Sequence, residues 1–164
     1  MFGHGTPMLN AATNHNVTID GGRISMNTRC DDSVGYEQVL ASYHRCEAAG
    51  GLFDSFYDFF LSKSAEIPPK FDMTEMERQK QDVMASVLMA LRLAAGDPVA
   101  QTFVEELAES HNRRGHNIRP ELYGLWLDAL CEAIQKHDPQ YTPALEENWR
   151  RAMRPAIELM IAAY

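Results

Sequence analysis

Three scarcities in this chain of 164 residues narrow the field before any motif is considered. Cysteine is rare: Cys30, Cys46 and Cys131 are odd in number and widely scattered. They build neither a disulfide framework nor the paired spacing of a zinc site, so a reducing cytoplasm is the expected compartment. Basic charge is thin, with 15 Lys plus Arg against 23 Asp plus Glu and a formal net charge of −8. That balance argues against nucleic acid or an anionic membrane as the main partner. No apolar run approaches transmembrane length, and the N-terminus lacks the basic-then-apolar order of a signal peptide. There is also no internal repeat and no low-complexity tract.

What is present is an ordinary globular composition, 45% hydrophobic and 23% charged, long enough for one domain whose core closes without disulfides or structural metals. Residues 1–30 differ from the rest. Gly3, Gly5, Pro7, Asn10, Thr13, Asn14 and Asn16 are turn and loop formers with little apolar periodicity. A small hairpin around Asp20-Gly21 within residues 17–25 is conceivable, but an isolated two-stranded hairpin is marginal. This segment reads as an irregular extension, with the folded domain at residues 31–164.

From Asp31 onward the periodicity is helical. Asp31, Asp32 and Ser33 are N-cap candidates for a first helix carrying Val39, Leu40, Tyr43 and Cys46, which Gly50-Gly51 ends. A second helix follows with Leu52, Phe53, Phe56, Tyr57, Phe59, Phe60 and Leu61, a density of aromatics that requires burial. Pro68 and Pro69 turn the chain and leave Phe71 in the corner. The longest helix spans roughly Thr74 to Ala95 with an apolar stripe of Met76, Val83, Met84, Val87, Leu88 and Leu91. Gly96 stops it, and Asp97-Pro98 restarts the chain as cap and first helical position. A shorter helix, Val99 to Ser110, leads to His111. Another begins at Pro120, and a last one is capped by Thr142-Pro143, with Pro155 inside it to kink it or remove a hydrogen bond. Six or seven helices and no core strand define an all-α domain.

The stretch from Leu107 to Pro120 is the most informative. It presents His111 at a helix end beside apolar residues, then a glycine-containing corner with His116. An imidazole offered in this way can be an axial ligand to haem iron, but met alone it reads more readily as a histidine that caps or packs a helix.

Taken together, Phe56-Tyr57-Asp58, Glu66-Ile67, Phe71, Leu107-Ala108-Glu109-Ser110-His111 and Pro120-Glu121-Leu122-Tyr123 resemble a bacterial globin of the single-domain, flavohaemoglobin or sensor type. The resemblance runs from about residue 31 to residue 164. It implies a globin fold around haem b (iron protoporphyrin IX), with His111 as proximal ligand and the sixth iron position left for a gas. Phe71 is expected to lie flat against the porphyrin. Tyr57 is expected in the distal pocket, where a phenol donates a hydrogen bond to bound dioxygen, worth ~1–3 kcal/mol in a dry site and up to about a hundredfold in release rate. Two glutamines of the long helix compete as the second distal residue. Counting from Phe71 selects Gln81, whereas Gln79 is followed by Val83 and Val87 at i+4 and i+8 to line the haem, and Gln79-Lys80 resembles the Gln-Arg pair of flavohaemoglobins. Gln79 is taken here, with Gln81 left open. The resemblance also places Tyr123 near the proximal imidazole, and Ile118 is expected among the haem-binding residues. His116 is the preferred candidate for the propionates, ahead of Arg113, Arg114 and Arg119.

Flavohaemoglobins complete their proximal network with a late glutamate, for which this sequence, with Tyr164 near that place, offers no clear counterpart. The leading expectation is therefore reversible binding of O2, and with it NO and CO. The alternatives are nitric oxide dioxygenation with an external reductase, because no flavin domain follows Tyr164, and gas sensing through a signalling partner or a homodimer. A haem-free globin fold has the least support, since it needs neither His111 nor Tyr57.

Overall fold

The computed structural model describes residues 28–164, with side chains from Gly35 onward. The hairpin considered near Asp20-Gly21 and most of the N-terminal extension lie outside the described residues. Within them the chain forms α1 (Thr28–Ala49), α2 (Leu52–Ser62), α3 (Met76–Ala94), α4 (Pro98–His111), α5 (Glu121–His137) and α6 (Pro143–Ala162), with a 3-10 turn at Pro68–Lys70. No strand occurs among the described residues, and no helix there is long and apolar enough to cross a membrane.

The boundaries follow from local chemistry. Gly50 and Gly51 both sit at φ 73°, a left-handed conformation that side chains disfavour, and so reverse the chain directly from α1 into α2. Pro68 and Pro69 permit only a 3-10 turn, closed by Phe71 N donating to the Pro68 carbonyl at 2.9 Å. Asp97 caps α4 by accepting from Val99 N at 2.8 Å and Ala100 N at 3.4 Å, with Pro98 in the first helical position. Thr142 caps α6 the same way, its hydroxyl accepting from Leu145 N at 3.1 Å.

Two local expectations need correction. The backbone is already helical at Thr28, so Asp31, Asp32 and Ser33 lie inside α1 instead of ahead of it; a capping preference is weak enough for chain continuity to override. Met84 does not belong to the buried stripe of α3, being 37% exposed, while Val83, Val87 and Leu91 are buried. A stripe 3.6 residues in period cannot hold both Val83 and its neighbour at its centre.

Helix α2 packs on α5, α3 packs on α4 and α6, α4 packs on α6, and α6 also packs on α1. Trp149, Phe56, Ile67, Leu91, Leu130, Ile134 and Met153 are fully buried between these layers. The aromatic density of α2 is accounted for there: Phe56 stacks on Phe60 at 5.4 Å between centroids and meets the edge of Trp126 at 5.6 Å. Each such ring contributes roughly 2–3 kcal/mol by leaving water.

One charged group sits in this core. The Asp138 carboxylate, completely shielded, accepts from Ser42 Oγ at 2.5 Å and from Arg45 Nε and Nη2 at 2.6 and 2.7 Å. Trp149 Nε1 donates in turn to Ser42 Oγ at 3.0 Å. Burial pushes the Asp138 pKa up, but the bonds from Arg45 and Ser42 outweigh it and hold the carboxyl below its usual value. The network ties the end of α5 to α1 and α6, a structural role.

Candidate functional site

Helix α4 delivers His111 as its last residue, half-buried. Nδ1 lies 2.9 Å from the Leu107 carbonyl oxygen, which can only accept, so Nδ1 carries the proton. Ser110 Oγ stands 2.9 Å from the same nitrogen and itself donates to the Leu107 carbonyl at 2.7 Å. The tautomer leaves the lone pair on Nε2. Burial lowers the His111 pKa, with the Leu107 bond opposing, so the ring is neutral at physiological pH, as a metal ligand must be.

The corner after His111 is tightly wound. Asn112 Oδ1 accepts from Arg114 N and Gly115 N at 2.8 and 3.1 Å, His116 N donates to Ser110 O at 2.9 Å, and Ile118 N donates to His111 O at 2.9 Å. His116 is exposed and meets His111 edge-on at 5.6 Å between centroids, while Ile118 is half-buried. Arg113 lies over the Tyr164 ring at 4.5 Å, Arg119 pairs with Glu66 at 2.5 Å, and Arg114 is exposed.

Tyr57 comes from the buried face of α2. Its hydroxyl donates over a long 3.4 Å to the main-chain carbonyl of Gln79, and burial pushes its pKa up to about 12, keeping the phenol protonated. Phe71, half-buried, meets the edges of Tyr57 at 5.7 Å and Phe60 at 6.3 Å. Gln79 is thus next to Tyr57 and half-buried, with Val83 and Val87 buried beyond it on α3. Gln81 is exposed; with Met84 it lines a cavity of about 220 Å³ bounded also by Tyr43, Cys46 and Leu52.

Tyr123 on α5 is buried, and its Oη is the one buried side-chain polar atom among the described residues without a hydrogen-bond partner. Burial pushes its pKa up to about 12. Helices α2 and α5 pack on each other, but neither makes a substantial contact with α4. Tyr57 and Tyr123 therefore belong to one packing unit and His111 to another, with α3 touching both units.

Sequence reasoning did not foresee the Leu107 carbonyl as the group that orients His111, although the i−4 relation on a helix would have signalled it. It also missed the pairing of Arg119 with Glu66, which brings together residues 53 positions apart and leaves no trace in local pattern.

An all-α bundle with a neutral helix-end histidine and a buried tyrosine set apart from it defines a class as well as a fold. Residues 55–160 match the globin family model, and the chain belongs to the globin family. It is similar to the protein PA3967 from Pseudomonas aeruginosa PAO1, described as structurally highly homologous to a human hemoglobin. The identity is 37%, over 79% of this chain and 98% of that one, with a TM-score of 0.76. No curated protein matches the chain.

Globins typically bind haem. The residues present fit that group. A neutral imidazole with Nδ1 engaged and Nε2 available suits iron, and two buried phenols, one unpartnered and one weakly bonded, are poorly satisfied by the protein alone.

Proposed function

We propose that this chain is a globin that holds haem b through His111 Nε2 and reversibly binds O2, and with it NO and CO, beside Tyr57. The observation that carries the reading is the 2.9 Å approach of His111 Nδ1 to the Leu107 carbonyl, an acceptor, which puts the proton on Nδ1 and the lone pair on Nε2. A hydrogen bond on the far nitrogen is how ligating histidines are oriented and made more basic. When bound, haem iron supplies one coordination position to His111 and keeps another for a diatomic ligand.

The remaining work falls to side chains. Tyr57 stays protonated and exchanges its long 3.4 Å bond to the Gln79 carbonyl for a better one to a polar ligand. Gln79 is favoured over Gln81 as its neighbour because Gln81 is exposed and lines the cavity beside Tyr43 and Cys46. Phe71, Val83, Val87 and Ile118 supply apolar surface, and Tyr123 adds a hydroxyl on the α5 side. His116, exposed next to His111, suits a rim position toward the propionates. Arg119, already engaged by Glu66, is less available for that part.

Storage or delivery of gas is favoured over nitric oxide dioxygenation by Tyr123. Its hydroxyl bonds neither to a carboxylate nor to His111, so no acidic network strengthens the imidazole as an electron donor. Cys46 and Cys131 are free and buried, which suits a reducing cytoplasm. The test is the absorption spectrum of haem-reconstituted protein in ferric, ferrous and oxygenated forms. Wild type shows a Soret band and a stable oxygenated spectrum, and His111→Ala loses or radically shifts both. A wild-type protein without a Soret band after reconstitution overturns the reading.

A further inference from the structure

Within the corner that follows α4, one asparagine gathers contacts from three parts of the chain. Asn117 has φ 50°, the one positive φ at a non-glycine residue among those described. Its N–H donates to Asn112 O at 2.9 Å, and the next residue, Ile118, donates to His111 O at 2.9 Å. From the 3-10 turn, Lys70 Nζ donates to the Asn117 carbonyl at 3.1 Å. Beyond α6, the Tyr164 hydroxyl donates to Asn117 Oδ1 at 3.1 Å. Both side chains come from 47 positions away in sequence, on opposite sides of Asn117. The Tyr164 ring is itself held under the Arg113 guanidinium.

A left-handed conformation at a residue other than glycine persists where its surroundings over-determine it. Asparagine tolerates that conformation best among the side chains, and here it also offers an amide oxygen as acceptor. His111 is the last residue of its helix, where carbonyls have no intrahelical partner and ends fray. Its carbonyl is satisfied by Ile118, immediately beyond Asn117.

We propose that Asn117 is a positioning residue for His111, clamped by Lys70 and Tyr164, so that the end of α6 and the 3-10 turn together fix the pose of the ligating imidazole. The proposal rests on the haem reading of His111. Release of either clamp frees the corner backbone, loosens the Ile118–His111 bond and widens the range of orientations open to the ring.

The experiment uses the haem-loaded full chain and compares Tyr164→Phe, Asn117→Gly, their combination, and Asn117→Asp. Two quantities are read: the iron–histidine stretching band of the ferrous protein by resonance Raman, and the rate of haem transfer to excess acceptor apoprotein. Tyr164→Phe removes one hydroxyl, and Asn117→Gly removes its acceptor while keeping the backbone conformation. Each should shift or broaden the band and speed haem loss about three- to tenfold, the size of one ordinary hydrogen bond. The combination should be no faster than the more affected single variant, since both break the same bond. Asn117→Asp, which keeps an acceptor oxygen, should stay near wild type.

An unmoved band in Tyr164→Phe, or additive effects in the combination, overturns the clamp, as does a fall in melting temperature with the band unchanged. If wild type shows no Soret band, the haem reading has failed separately. The clamp is then read in haem-free protein from amide exchange at Ile118. Tyr164→Phe speeds that exchange severalfold if the clamp holds the corner, and an unchanged rate refutes it.

Discussion

Gly115 offers the sharpest test of how the corner supports His111. A methyl group on this residue would lie 2.1 Å from the Ser110 carbonyl oxygen and 2.8 Å from its carbonyl carbon. Carbon and oxygen normally approach no closer than about 3.3 Å, so Gly115→Ala forces the two segments roughly 1 Å apart. The obstacle is main chain, with no flexible side chain to swing aside. The separation breaks the 2.9 Å bond from His116 N to Ser110 O and strains the bonds that Asn112 Oδ1 accepts. At about 0.5–1.5 kcal/mol for each bond, the total is ~1–3 kcal/mol, or a fall of roughly 3–10 °C in melting temperature. Because Ser110 adjoins His111 and its hydroxyl contacts His111 Nδ1, the displacement reaches the imidazole. Haem loss should therefore accelerate about tenfold, the equivalent of 1.4 kcal/mol. Thermal melts of the haem-free protein and haem transfer from the loaded protein measure the two effects separately. A melting temperature within about 1 °C of wild type would falsify the steric argument. A lowered melting temperature with an unchanged transfer rate would show that the corner opens outward and does not bear on His111.

Tyr123→Phe should stabilise the haem-free protein, because it removes a buried hydroxyl that lacks a partner; the gain in chemical denaturation is ~1–3 kcal/mol, and a loss of stability would show that the hydroxyl is satisfied in solution. Tyr57→Phe should speed dioxygen release by up to about a hundredfold in stopped-flow measurements, and an unchanged rate removes Tyr57 from the distal role. Since the Tyr57 pKa is pushed up to about 12, the wild-type release rate should stay level from about pH 6 to 10. Asp138→Ala leaves Arg45 without its partner and should cost roughly 3 kcal/mol. The Asp138 pKa is depressed in the folded state, so its contribution is complete above the unfolded carboxylate value near 4 and is lost as pH falls through the folded value. Wild-type melting temperature should thus drop more steeply than that of Asp138→Ala below about pH 4, and parallel curves would refute this assignment.

Much of the architecture was legible in the sequence because its signals are local. Paired glycines at 50 and 51, the Asp97-Pro98 and Thr142-Pro143 caps, and the double proline after Ile67 set element boundaries through backbone dihedrals and nearby donors, which the chain carries wherever it folds. Periodicity named the buried face of α2 and most of that of α3. It failed at Met84, which shares its helix with the core but faces a groove instead. The proposed site residues, His111, Tyr57 and Phe71 above all, stand out in the sequence by their place at a helix end, in an aromatic run and in a proline corner, and their proposed roles come from the globin resemblance.

What the sequence alone determined, then, is the helical inventory and the residue types that a haem protein needs. Tertiary structure decided how those residues are held. Tertiary packing sets the Tyr57 hydroxyl against the main-chain carbonyl of Gln79 and leaves Gln81 exposed, a difference that periodicity does not carry and that supports the proposed preference for Gln79. Arg119 was directed to Glu66, and Lys70 and Tyr164 to Asn117, by packing that joins segments about fifty positions apart. Hydrogen bonds over such separations depend on where whole helices come to rest, and no local pattern encodes that.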